Sequence, residues 1–169
     1  MNVKAALSPD DLARACAKAM WKEDDASSGL GMKIVDIGPG RATLTMTVQP
    51  HMVNGQRIAH GGFIFTLADS AFAFACNSRN EKAVAAQGNI TFIRPGKLGD
   101  LLVATAREIS RSARSGIYDV RVTVGDEVIA EFRGHSRMIP GTWLPESDIK
   151  QKTFEETQHG YDKSEKEGK

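Results

Sequence analysis

Residues 61–77, GGFIFTLADSAFAFACN, form a strongly apolar segment near the middle of the chain. Alanine and leucine favour a helix, two glycines stand at its start, and Asn77 follows its last apolar residue. The segment is apolar on every side apart from Thr66, Asp69 and Ser70, and a helix of this kind must be surrounded by protein. The pattern therefore predicts a buried central helix.

The segments on either side of this helix alternate between apolar and polar residues, as half-buried strands do. Upstream, the pattern predicts short strands over 30–37 and 42–48, separated by the turn residues at 38–40. Downstream, turn residues divide the alternating region into four further strands, which we predict at 84–94, 101–110, 116–124 and 128–138. We expect these strands to be antiparallel neighbours in one sheet.

A second helix is predicted before the first strand. Pro9 after Ser8 is a favourable first helical residue, and Leu12, Cys16 and Ala19 follow at helical spacing. The fold class is therefore α+β, with an N-terminal helix and a long central helix wrapped by a curved antiparallel β-sheet. Because one sheet covers the central helix on one side only, we predict that a second subunit covers the other side.

The composition indicates one globular domain followed by a charged tail. The 169 residues are 41% hydrophobic and 25% charged, which is enough apolar material for a single core. We expect this domain to span residues 1–140. Residues 141–169 are rich in Lys, Asp and Glu and hold few apolar anchors, so the sequence predicts a disordered C-terminal tail there.

Charge and hydropathy argue against several kinds of partner. Lys and Arg number 22 against 21 Asp and Glu, which favours neither nucleic acid nor an anionic membrane as partner. No run reaches the roughly 18 apolar residues of a membrane span, and Asp10 and Asp11 lie where a signal peptide is apolar. Cys16 and Cys76 lack metal-ligand spacing. We expect a cytoplasmic protein without a metal site.

The most informative polar residue is Asp69, which interrupts the apolar helix. An isolated ionised carboxylate costs several kcal/mol in such surroundings unless it is paired or reached by water. A hydrogen bond to the backbone would make Asp69 a structural residue. A functional Asp69 would act as general base for water or as nucleophile, and we favour this second interpretation.

The start of the same helix offers a second chemical group. Free amides at a helix N-terminus favour negative charge on oxygen, and Gly61 and Gly62 allow a carbonyl group to approach closely. A tight turn is the structural alternative for these glycines, as a loop hydrogen bond is for His60 and Asn54. Gly61 and Asp69 are eight residues apart, about 12 Å along a helix. Two antiparallel helices about a twofold axis bring both groups to one carbonyl, whereas one chain cannot.

Residues 54–78, NGQRIAHGGFIFTLADSAFAFACNS, resemble the hotdog-fold thioesterases of the phenylacetic-acid-degradation (PaaI) type. The segments NITFIRPGKLGD at 89–100 and SGIYDV at 115–120 match as well, so the resemblance extends over about residues 12–140. It implies a hotdog fold, hydrolysis of acyl-CoA thioesters, and tetramers built as dimers of dimers.

The resemblance also implies roles for single residues. Asp69 corresponds to the catalytic acid, which works across the dimer interface, and Gly61 to the glycine whose amide polarises the carbonyl. Asn54 and His60 correspond to residues that form the same pocket. Substrates of this type are aryl-acetyl thioesters, notably phenylacetyl-CoA and its ring-hydroxylated forms. We expect no cofactor, because coenzyme A is part of the substrate.

Coenzyme A carries a pyrophosphate and a 3′-phosphate, so basic side chains and backbone donors are expected at the mouth of its pocket. The candidates lie at the helix start and at two turns of the predicted sheet. They are Gly62 at the helix start, Arg94, Pro95, Gly96 and Lys97 in one turn, and Arg111, Arg114, Ser115 and Gly116 in the other.

Two other functions fit parts of the sequence. A hotdog hydratase or dehydratase acting on acyl thioesters needs an acid–base pair, and His60 is the only histidine close to the helix start in this pattern. A non-catalytic acyl-CoA-binding protein would bind its ligand without turnover, and the presence of Asp69 disfavours this role. Hydrolysis centred on Asp69 is the main prediction.

Overall fold

The predicted central helix and the sheet around it are both present in the structure, a computed structural model that describes residues 7–147 and 149. The elements are, in chain order, α1 (Pro9–Trp21), α2 (Asp25–Gly29), β1 (Lys33–Gly38), β2 (Arg41–Thr47), α3 (Gly61–Cys76), β3 (Ala83–Phe92), β4 (Leu101–Arg111), β5 (Ser115–Val124) and β6 (Glu127–Met138). A short 3-10 helix, Pro50–Met52, precedes α3.

The six strands form one sheet in the order β1-β2-β4-β5-β6-β3, and every neighbouring pair is antiparallel. Helix α3 packs against the inner face of this sheet. The two ends of this order, β1 and β3, are the edge strands of the sheet, and β3 follows α3 directly in the chain. The α+β fold class, with a sheet wrapped around one helix, is confirmed.

The core lies between α3 and the sheet. Phe72 of α3 is buried against the rings of Tyr118 and Phe132, at centroid distances of 5.5 and 5.9 Å. Gly134 of β6 makes this close approach possible, because a Cβ at that position would lie 2.9 Å from the Phe72 ring. Aromatic residues on α3 and small residues on the sheet thus set the separation of the two layers.

The two N-terminal helices cap one end of this core. Ser8 caps α1 by accepting a hydrogen bond from the Asp11 amide, as the Ser-Pro start predicted. Helix α2 was not predicted, because its five residues are polar and too few to show a period. It depends on Asp24, whose carboxylate accepts the Ser27 amide at 2.9 Å. None of the helices within residues 7–147 combines the length and apolar character that crossing a bilayer requires.

The two edges of the sheet differ in character. Edge strand β1 carries Lys33 and Asp36, and a bulge interrupts its register next to Val35. Edge strand β3, by contrast, reads AVAAQGNITF without a single charge, and nine of its ten residues are exposed or partly exposed. Strand β3 also has a bulge, between Ala85 and Gln87, so the two edges differ in their charge. Charged side chains protect a strand edge from pairing with another chain, and β3 has none.

The first residues of the predicted tail pack against the domain. The indole nitrogen of Trp143 donates to the Asn77 side chain at 2.8 Å, and the Asn80 side chain accepts the amides of Trp143 and Leu144. Lys82 lies over the Trp143 ring. The folded chain therefore continues past the predicted boundary at residue 140. Residues 1–6, 148 and 150–169 lie outside the described part.

Candidate active site

The N-terminus of α3 presents one free amide. The Nδ1 atom of His60, the N-cap residue, accepts the Gly62 amide at 2.9 Å, while Thr66 donates its hydroxyl to the Gly62 carbonyl. The Gly61 amide donates no hydrogen bond to any residue in the described part of the chain. Of the two predicted donors, the Gly61 amide is therefore free for a ligand at the positive end of the helix, whereas the Gly62 amide is bonded to the N-cap residue His60.

Asn54 organises the loop that leads to this helix. Its Oδ1 atom accepts the amides of Gln56 and Ile58 at 2.9 and 3.3 Å, and its own amide donates to the Ile58 carbonyl. These bonds hold Arg57 in a left-handed conformation at φ 62°. The Nδ2 group of Asn54 has no acceptor among residues 7–147, so it is available to a ligand in addition to this loop role.

The carboxylate of Asp69 lies partly buried in the third turn of α3. It forms no hydrogen bond or ion pair with any described residue, which sets it apart from the paired carboxylates on the sheet surface. Burial raises the pKa of Asp69 above its ordinary value, because the charged form loses water without gaining a partner. A backbone hydrogen bond, the structural alternative for this residue, is not present.

The neighbours of Asp69 along α3 define the helix face on which it lies. It shares a helix face with Phe65 four residues before and Cys76 seven residues after. Phe65 lies beside Gly88 of β3, at 3.2 Å from the position of a Cβ there. Burial raises the pKa of the Cys76 thiol to about 12, and the nearby Asp69 charge adds to this rise. Cys76 is therefore a protonated thiol and not a nucleophile.

The first of the two predicted CoA-binding turns adjoins the helix start. The Gly96 carbonyl accepts the Ala59 amide at 2.9 Å, which fixes the turn of Arg94, Pro95, Gly96 and Lys97 beside the residue before His60. Arg94 and Lys97 are exposed, while Gly96 is buried against Ala59. The structure thus brings two cationic side chains to the same end of the molecule as the Gly61 amide.

The second predicted turn lies elsewhere in the chain. Arg111 pairs with Glu81, which follows the C-terminal end of α3, and the Arg114 carbonyl accepts the Met138 amide. Helix α3 separates this end from Gly61 by about 22 Å. Ser115 is exposed, but Gly116 is buried, since a Cβ there would lie 2.6 Å from the Tyr118 ring. Gly116 is thus a packing residue, and one chain does not join this turn to Gly61.

Two aromatic residues at the helix start were not predicted as part of the site. A Cβ on Gly61 would lie 2.7 Å from the Cζ atom of Phe92, so that ring rests directly on the glycine. Phe63 meets the rings of His51 and His60 edge-on, at centroid distances of 6.0 and 6.2 Å. The sequence shows Phe92 as the end of an alternating strand, and only the strand register places it on the helix side.

Metal-binding side chains do not gather at this site or elsewhere in the part of the chain that the structure describes. No three His, Cys, Asp or Glu side chains form a group that holds a metal ion there. The polar groups of the candidate site that have no hydrogen-bond partner among the described residues are the Gly61 amide, the Asn54 Nδ2 group and the Asp69 carboxylate.

Comparison with known sequences identifies related proteins. The model of the thioesterase superfamily matches residues 56–131. Acyl-coenzyme A thioesterase PaaI of Escherichia coli strain K12 is 44% identical over 127 residues, which make up 75% of this chain and 91% of that protein. Human acyl-coenzyme A thioesterase 13 is 32% identical over 113 residues, 65% of this chain and 81% of that protein.

Comparison with solved structures agrees. The E. coli PaaI protein, from the phenylacetic acid degradation operon, superimposes with a TM-score of 0.79 at 42% identity, covering 80% of this chain and 99% of that chain. A Streptococcus mutans protein bound to acetyl CoA superimposes with a TM-score of 0.63 at 28% identity, covering 66% of this chain and 90% of that chain. This chain therefore belongs to the thioesterase superfamily, as a hotdog-fold thioesterase of the PaaI type.

Proposed function

We propose that this protein hydrolyses aryl-acetyl-CoA thioesters, such as phenylacetyl-CoA and hydroxyphenylacetyl-CoA, to the free acid and CoA in phenylacetate catabolism. The name and operon of the E. coli relative support both the acyl-CoA substrate and the pathway. Coenzyme A enters as part of the substrate, and water is the only other reactant.

The observation that carries this proposal is the unpartnered, partly buried carboxylate of Asp69. A charge in such a place costs folding free energy, and a raised pKa brings the carboxylate closer to the basicity that general-base catalysis needs. Asp69 either removes a proton from the attacking water or attacks the carbonyl carbon itself. Both routes break the C–S bond, and the sulfur leaves as the CoA thiolate. In the second route water then hydrolyses the mixed anhydride formed on Asp69, which releases the free acid and restores the carboxylate.

The Gly61 amide serves the other half of the same reaction. As the carbonyl carbon becomes tetrahedral, its oxygen gains negative charge, and a preorganised amide at a helix N-terminus stabilises that charge. The free Nδ2 group of Asn54 is a second donor near the helix start. His60 positions the donor, since its bond to the Gly62 amide fixes the first turn of α3.

A twofold dimer brings these groups together. The open edge of β3 supports antiparallel pairing of β3 with β3 of a second copy, which continues the sheet across the interface. Such pairing places the Phe92 end of one strand against the Ala83 end of the other. Gly61 lies at the Phe92 end, whereas Asp69 lies about 12 Å further along α3, which ends beside Ala83. Each site would thus use Gly61 of one subunit and Asp69 of the partner subunit.

The same symmetry gives a role to the second predicted turn. Antiparallel helices place the C-terminal end of α3 in one subunit on the side of the helix start in the other. Arg111, Arg114 and Ser115 therefore approach the site from the partner subunit, while Arg94 and Lys97 approach it from the subunit that supplies Gly61. The four basic side chains offer positive charge to the phosphates of CoA, and Ser115 offers a hydroxyl donor. Two such dimers would associate in the tetramer.

Mixing two inactive variants tests the shared site. Asp69→Asn and Gly61→Ala chains, each assayed alone for thiol release from phenylacetyl-CoA, are expected to be almost inactive. After unfolding and refolding together in equal amounts, half of the dimers are mixed, and each mixed dimer holds one intact site. About a quarter of the wild-type activity should return.

The controls decide between the alternatives. Each variant refolded by itself must stay inactive, and wild-type chains refolded in the same way must recover their activity. Mixed chains that form dimers but regain no activity would show that each site is built from one chain. An Asp69→Asn protein that is folded and fully active would contradict the proposed role of the carboxylate.

A further inference from the structure

The ring of Phe92 packs against Gly61, but about half of the side chain remains exposed to solvent. Its Cζ, Cε2 and Cε1 atoms lie 2.7, 3.1 and 3.2 Å from the position of a Cβ on Gly61, so the glycine is what admits the ring. Phe92 nevertheless remains 51% exposed. Half of a large apolar side chain is thus open to solvent directly beside the free amide at the start of α3.

The sheet fixes the direction of this ring. In the β3–β6 ladder Phe92 lies opposite Ala130, which is buried on the helix side, whereas Thr91 lies opposite the outward-facing Glu131. The next residue, Ile93, donates its amide to the Ile129 carbonyl and ends the strand. The open surface of Phe92 therefore faces the space in front of α3 and not the outer surface of the sheet.

We propose that Phe92 is a wall of the acyl pocket and selects aromatic over saturated acyl groups of the same size. This inference rests on the proposed function. A carbonyl oxygen bound to the Gly61 amide brings the acyl group next to the open side of Phe92. Two aromatic rings there gain an offset or edge-to-face contact at 4.5–7 Å, beyond the burial that any apolar group of similar size obtains.

Phenylacetyl-CoA and cyclohexylacetyl-CoA form the matched substrate pair for this test, since their acyl groups differ in aromaticity and hardly in size. The measured quantity is the ratio of kcat/KM for the aromatic to kcat/KM for the saturated substrate. Phe92→Leu should lower this ratio about two- to tenfold, which is the range for a lost aromatic pair. Phe92→Tyr keeps the ring and should keep the ratio. Phe92→Met repeats the test if leucine disturbs β3.

The matched control variant is Ile93→Ala, which removes a neighbouring apolar side chain that is 48% exposed. Its ratio should equal that of the wild type. An unchanged ratio in Phe92→Leu, or an equal loss on both substrates, would overturn the inference and make Phe92 a residue that only supports the helix start. Absence of thiol release from both substrates by the wild type would contradict the proposed function as well.

Discussion

Replacing Gly61 by alanine tests the position of the substrate carbonyl. Gly61 is the first residue of α3 and has no positive φ, so alanine introduces no backbone strain there. The new Cβ would meet the Phe92 ring at 2.7 Å. A ring that cannot move would cost about 1–3 kcal/mol, but this one is half exposed and can turn aside. The free energy of unfolding should therefore change by less than about 2 kcal/mol.

The effect on catalysis should be much larger. The methyl group narrows the space in which a carbonyl oxygen reaches the Gly61 amide, so the donor is lost at the moment when charge develops. Loss of one such donor lowers kcat by about 10²–10³-fold, or 2.7–4 kcal/mol. A folded protein with a greatly reduced kcat for phenylacetyl-CoA is the expected result, measured by thiol release and by thermal unfolding.

Two control variants separate the causes. Gly55→Ala adds a methyl group in the preceding loop, where nothing lies within 4 Å, and should leave both stability and kcat unchanged. The second control compares the single variant Phe92→Ala with the double variant Gly61→Ala/Phe92→Ala, since both lack the ring. If displacement of the ring causes the loss, the double variant matches Phe92→Ala; if the methyl group blocks the amide, it stays inactive. A Gly61→Ala enzyme with wild-type kcat would refute the reasoning.

Burial and packing lead to four further predictions. Because burial raises the pKa of Asp69, wild-type kcat/KM should fall with decreasing pH through a value above the ordinary carboxyl pKa of about 3.9. The same shift favours the protonated folded form, so Asp69→Asn should be more stable than wild type to urea at pH 7, and the difference should vanish below about pH 4. Trp143→Phe loses the indole bond to Asn77 and should cost about 1 kcal/mol in urea unfolding without changing kcat. Gly134→Ala forces a Cβ against the buried Phe72 ring and should cost about 1–3 kcal/mol.

Contrary results for these variants would have specific meanings. An Asp69→Asn protein that loses stability at pH 7 would mean that the carboxylate has a stabilising partner. An unchanged midpoint for Trp143→Phe would show that the indole hydrogen bond to Asn77 does not contribute to stability. Gly29→Ala, placed where nothing lies within 4 Å, is the matched glycine control for Gly134→Ala.

Much of the fold was predictable because its elements have strong periods. Helix α3 is apolar on all sides, and β4 to β6 alternate over ten to twelve residues, so their bounds could be read to within a few positions. Helix α2 escaped prediction because one capping carboxylate, Asp24, and not a pattern of apolar residues, defines it. The contact of Trp143 with α3 depends on two asparagines distant in sequence, which no local pattern reveals.

The candidate site was predictable where a residue type is unusual for its surroundings. Asp69 stands out as a charge in an apolar helix, and Gly61 as a glycine at a helix start. The sequence could not show that His60 occupies the Gly62 amide, or that Phe92 lies over Gly61, because both depend on three-dimensional contacts. It also could not separate the buried Gly116 from exposed turn residues, since a glycine admitted by Tyr118 looks like any other turn glycine.

The uncharged edge strand β3 has a consequence for the life of the chain before it finds a partner. A newly made subunit exposes the open edge of a ten-residue strand that carries the exposed side chains of Val84 and Phe92, and another open strand can pair with this edge. Correct assembly therefore competes with aggregation, and the outcome depends on how fast identical chains meet. A lysine on this strand would protect the free subunit, yet it would also oppose the β3–β3 pairing that we propose for the active dimer. In that dimer, the strand edge that favours aggregation is also the edge that brings Gly61 and Asp69 together.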